Sequence, residues 1–161
     1  MNITAPGLTH SFYVIIRNSE LTEHILMLVD RQTNTLDIVY NYGGGEPLLD
    51  VHQPDPDKPA LVSFEVSSPL KARSYYSLHL FAISGEITSE VDTRLQDLKT
   101  APTGDAYLTL KQALDLLPAP PTIELLQRGV LFCTSEPLQT YRATEGHFTV
   151  IEKTKRTYKT R

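Results

Sequence analysis

Apolar and polar residues alternate along several short stretches of this chain, and that period of two is its strongest structural signal. His10 to Arg17 is dominated by Phe12, Tyr13, Val14, Ile15 and Ile16, the aromatic and β-branched types that suit a pleated surface, and Asn18-Ser19 ends the run. His24 to Val29 is continuously apolar and short, which predicts a buried strand. Leu36 to Tyr42 sets Leu36, Ile38 and Tyr40 against Asp37, Val39 and Asn41. Leu48 to Val51 is expected to be a short edge strand. Leu61 to Val66 alternates again, with Val62, Phe64 and Val66 on one side. Tyr75 to Ile83 is the longest clean strand, and Ile87 to Leu95 is read as one more after a Ser84-Gly85-Glu86 turn. Strands at intervals of about ten residues, separated by turn signals, predict an all-β sandwich or barrel.

The pattern changes after Thr100-Ala101-Pro102-Thr103-Gly104, the best candidate for a linker. Thr109 to Leu117 is expected to be a short helix: Leu110, Ala113, Leu114 and Leu117 recur at helical spacing, and Thr109 with Gln112 matches a capping box. Pro118-Ala119-Pro120-Pro121 stops it. Thr122 to Arg128 reads as a further helical turn with Gly129 as its cap, and Val130 to Cys133 and His147 to Glu152 as strands. The expected division is a β-sandwich domain over residues 8–101 and a small α/β C-terminal extension over 102–161, ending in a basic tail.

Residues 61 to 101 carry a more specific pattern. Leu70 lies six residues before Tyr76, and Leu78, Leu80 and Ala82 alternate after it. A Ser84-Gly85 turn follows, and the segment runs into Thr100-Ala101-Pro102. This resembles the second half of a fibronectin type III domain. The resemblance implies a mainly β, antiparallel Ig/fibronectin III-like sandwich in which Leu70 and Tyr76 form a structural corner. There the Tyr76 ring packs inward and its hydroxyl bonds backbone upstream. Leu78, Leu80 and Ala82 would face the opposing sheet, and Ser77, His79 and Phe81 would face out. The family's tryptophan on the second strand has no counterpart, because the chain contains no Trp. That departure leaves another Ig-like or jelly-roll sandwich open.

Composition narrows the function classes. At 161 residues the chain can bury a full core without cross-links, and its net charge of −4 offers no basic face for nucleic acid outside the tail. The single Cys133 forms no intrachain disulfide and fits a small buried hydrophobe in a reducing setting. Residues 1–9 carry neither a basic nor an apolar leader region, and the run Ile25 to Val29 is far too short to span a bilayer, so the expected location is cytoplasmic or in a virion.

No chemistry emerges from the motifs. Gly43-Gly44-Gly45 lacks the Lys-Ser/Thr and helix of a phosphate loop, and no G-x-S-x-G elbow is present. The five histidines show no metal-ligand spacing. His52, with Asp50 and Asp55 beside a proline-rich loop, is the densest local cluster, and it is most simply solvated surface. No catalytic, metal or cofactor residues are therefore assigned. Phe81, a large aromatic on the outward face, is expected either beneath the Leu110 to Leu117 helix or against a partner. His79 and Phe81, together with Lys155, Arg156 and Tyr158 of the tail, are the candidate partner-binding residues. The function expected is a non-catalytic protein–protein interaction module. A structural assembly protein, such as a viral or phage capsid or tail component, is the alternative, and a small-ligand or metal binder using the His52 loop is the third.

Overall fold

The computed structural model describes residues 1–17, 21, 23–99 and 106–135. The chain order is β1 (Asn2–Thr4), β2 (Gly7–Val14), β3 (Glu23–Asp30), β4 (Leu36–Val39), β5 (Leu49–His52), β6 (Ala60–Leu70), β7 (Ser74–Ile83), α1 (Ser89–Leu98), α2 (Ala106–Leu114) and β8 (Ile123–Cys133). The strands form a five-stranded sheet ordered β1-β8-β7-β3-β4 and a three-stranded sheet ordered β2-β6-β5. All pairings are antiparallel except β1 with β8.

The two sheets face each other across one core. Phe12, Val14, Val62, Phe64 and Val66 of the small sheet meet Leu26, Leu28, Leu78, Leu80, Leu131 and Cys133 of the large one. The second core lies on the other side of the large sheet, where Ile25, Met27, Ile38, Phe81 and Ile83 pack against Val91, Leu95, Leu110 and Leu114 of the helices. The large sheet is thus buried on both faces. That explains the unbroken apolar run in β3: its even and odd residues serve different cores. The mainly β character expected from the alternation stands.

Three local expectations are corrected. Ile87 to Leu95 is not a strand; Ser89–Leu98 is helix α1. Val91, Leu95 and Leu98 are buried at helical spacing, and the Thr88 side chain caps the first turn by accepting from the Val91 N–H at 3.3 Å. α2 begins at Ala106, so Thr109 lies inside the helix and is not its cap. Thr122 to Arg128 is not helical. It belongs to the single strand β8, and Gly129 sits opposite Leu78 in the ladder. A bulge shifts the register where Leu80 faces Gln127 and Phe81 faces Leu125. The extra residue, Leu126, lets Leu125 pack toward the helices and Leu126 toward the inter-sheet core.

β8, which lies past residue 101, sits between β1 and β7 inside the large sheet. The strand expected at His147 to Glu152 lies outside the described residues.

Candidate functional site

The residues singled out from sequence fall in different places. Phe81 is fully buried, with its ring 6.3 Å from that of Tyr107 on α2. As a partner-binding residue it is withdrawn, because the chain's own helices occupy the surface it would offer. His79 is half-buried on the same face and stacks on Phe81 at 6.3 Å and 13°. Lys155, Arg156 and Tyr158 lie outside the described residues. The outer face of β7 is therefore covered at Phe81 and Ile83 and open at Tyr75.

Tyr76 is buried at the start of β7, and its hydroxyl accepts a hydrogen bond from the Lys71 backbone N–H at 2.8 Å, with Leu70 buried beside it. The corner carries more than the tyrosine. Asp30 is buried at the end of β3, accepts from the Gln32 N–H at 2.9 Å, and meets the Lys71 ammonium at 3.4 Å. Burial alone would raise the Asp30 pKa; the backbone N–H groups of Gln32 and Thr33 and the Lys71 side chain outweigh it and hold the carboxyl below its ordinary value.

His52 is exposed at the end of β5. The Asp55 carboxylate is engaged in its own turn, accepting from the Asp57 N–H at 3.0 Å. Among the described residues no three His, Cys, Asp or Glu side chains converge as metal ligands. Cys133 is buried, and burial pushes its thiol pKa up, which suits packing over nucleophilic chemistry.

Two polar clusters brace the layers. Tyr40 donates to Asp92 Oδ1 and accepts from Gln96 Nε2, both at 2.7 Å, which fastens α1 to the sheet. His10 Nδ1 meets the Thr4 hydroxyl at 2.7 Å, and Nε2 lies 3.0 Å from the Gly7 carbonyl. A carbonyl only accepts, so Nε2 carries the proton and the Thr4 hydroxyl donates to Nδ1. This clamp holds the reversal between β1 and β2.

An open cleft lies at one end of the sandwich. Ile15, Ile16 and Arg17, just past β2, face the β5–β6 loop across a cleft of about 720 Å³. The loop contributes Gln53, Asp57 and Lys58 among prolines. Gln53 ties the two walls together, since its Nε2 donates to the Lys58 carbonyl at 3.0 Å and the Ile16 carbonyl at 3.4 Å. A smaller recess of about 300 Å³ runs from the same Ile15–Arg17 segment to Glu124, Leu125 and Leu126. Neither Arg17 nor Lys58 forms an ion pair with another described residue. Among the described residues no Ser, Cys, His or Tyr lines either space.

The cleft was not apparent from sequence. The only local signs are an apolar pair running one step past its strand into Arg17, and a loop with three prolines in six residues. Nothing in the sequence says that these two segments meet. Among the described residues no helix is long and apolar enough to cross a membrane. No protein-family model matches the chain, and no curated protein sequence matches it.

Proposed function

We propose that the protein is a non-catalytic protein–protein interaction module, an Ig-like sandwich of fibronectin type III character, and that it takes a peptide segment of its partner in the end cleft. The observation that carries this is the cleft itself: a wide trough with an isoleucine wall and two cations, Arg17 and Lys58, against one lining carboxylate, Asp57. An extended peptide with apolar and acidic side chains has the complementary chemistry.

The strand order supports the sandwich assignment. With β2 to β8 taken as strands B, C, C′, D, E, F and G, the small sheet becomes B-E-D and the large sheet G-F-C-C′, the Ig pattern. β1 then lies along G in parallel, and Tyr76 stands at the start of F, where a tyrosine corner belongs. The cleft falls at the end where the B–C, D–E and F–G connections gather. In sandwiches of this kind such loops carry recognition while the sheets hold them in place. α1 and α2 are an insertion in the F–G connection that folds back over the large sheet.

Selection of a displayed random peptide library on the full chain tests the proposal. Peptides rich in acidic and apolar residues should enrich. They should bind the Arg17→Glu, Lys58→Glu double variant about ten-fold or more weakly, which corresponds to roughly 1.4 kcal/mol. Failure to enrich any peptide, or equal binding to wild type and variant, overturns it.

A further inference from the structure

A β-sandwich of two open sheets has four sheet edges, and a soluble protein has to keep them from pairing with other chains. Three of the four are protected here. β1 is only three residues long. β4 has four residues, and its Asp37 carboxylate reaches across to the Ser67 N–H of β6 at 3.3 Å and the Ser67 hydroxyl at 3.2 Å. β5 is shielded by the Asn41 side chain, which acts as a substitute strand: its Oδ1 accepts from the N–H groups of Leu48 and Leu49, and its Nδ2 donates to the Leu49 carbonyl.

Among the described residues β2 has none of these devices. It is eight residues long and terminates the small sheet, pairing only with β6 among the described residues. From Gly7 to Ile16 the sequence contains no Lys, Arg, Asp, Glu or Pro. Exposed apolar side chains adjoin this edge, Leu8 at 41% and Tyr13 at 65%, beside the small polar Thr9 and Ser11.

We infer that the outer edge of β2 is an interface for a second copy of this chain, the two strands pairing antiparallel about Ser11. The absence of charge favours self-pairing in particular. In a two-fold antiparallel pair a residue at the axis meets its own copy, so a charge there would face a like charge, and β2 carries none. With Ser11 at the axis, Thr9 of one copy lies opposite Tyr13 of the other. The two small sheets become one six-stranded sheet, β5-β6-β2 continued by β2-β6-β5. The symmetry consumes both free edges, so the assembly closes as a dimer and does not propagate. The inference stands on the comparison of edges and is independent of the peptide cleft.

Sedimentation equilibrium of the full chain tests it. A species of about twice 18.1 kDa is expected in the micromolar range. The double variant Ser11→Lys, Tyr13→Lys changes two exposed positions on the outer face, so it should keep the wild-type circular dichroism spectrum while its dimer dissociation constant rises at least ten-fold. Ser11→Cys should form a disulfide-linked dimer under mild oxidation, since the native thiol is buried, whereas Asp115→Cys, exposed just past α2, should not. A monomeric wild type across that range, a dimer unaffected by the double lysine variant, or equal cross-linking of the two cysteine variants overturns the inference. Each outcome leaves the peptide-selection result untouched.

Discussion

Replacing Tyr76 by Phe isolates the corner, because it removes one oxygen and leaves the ring in place. That hydroxyl accepts from the Lys71 N–H at 2.8 Å, and the ring is 6% exposed. The bond itself is worth roughly 0.5–1.5 kcal/mol net. The Lys71 N–H is part-buried, so losing its acceptor adds a fraction of the ~1–3 kcal/mol desolvation penalty of an unsatisfied donor. The expected total is about 1–2 kcal/mol. For a chain of this size, each kcal/mol moves the melting temperature by roughly 2–4 °C, so a fall of about 2–8 °C is expected. Urea unfolding followed by circular dichroism measures the loss directly, and the denaturant slope should not change, since the buried surface is unaltered. Tyr75→Phe is the control. Its ring is 47% exposed and lies against Phe132 at 4.7 Å, so losing its hydroxyl should cost nothing measurable. Equal stability of Tyr76→Phe and wild type, or equal losses in the two variants, would refute the reasoning that the corner bond holds β6 to β7.

Two further outcomes test the remaining structure. Phe81→Ala should destabilise by about 3–4 kcal/mol, because it empties a fully buried site between β7 and α2; a loss under about 1 kcal/mol would mean the helices do not pack there in solution. Stability should also fall as pH drops through 6.5. Burial lowers the pKa of both His10, where the Gly7 carbonyl bond opposes the effect, and His24, so the unfolded chain binds more protons than the folded one below that value. The histidine contribution is complete above 6.5 and is lost on acidification, by at most about 1.4 kcal/mol per pH unit for each group. His10→Gln should reduce that slope. A flat urea midpoint down to about pH 5 would contradict the assignment, and the Asp30 contribution is distinct because it is lost only as pH falls from about 3.8 downward.

Strand by strand, legibility followed how many faces each segment buries. β6 and β7 were readable because neighbouring positions have different fates: Val62, Phe64 and Val66 point to the inter-sheet core while Ser63 and Glu65 do not. The same alternation put Phe81 opposite Leu80, and the expectation that a helix would cover it came from α2's own apolar stripe. α1 was misread because its apolar residues are sparse. Ile87, Val91 and Leu95 stand four apart, a spacing that fits helix better than strand. β8 was broken in two because Gln127, Arg128 and Gly129 interrupt its middle, and its bulge reverses the alternation that would have joined the halves.

Local chemistry alone thus determined the mainly β character and the inward faces of β6 and β7, because each depends on residues close together in the chain. The location of the exposed surface was settled only by tertiary packing. Ile16 and Gln53 are 37 residues apart, and one hydrogen bond makes them two walls of one cleft. Asn41 protects β5, while among the described residues β2 has no comparable cover, because of where the strands lie in each sheet. Edges and clefts are relations between distant segments, and the alternation within a single strand carries no record of its neighbour.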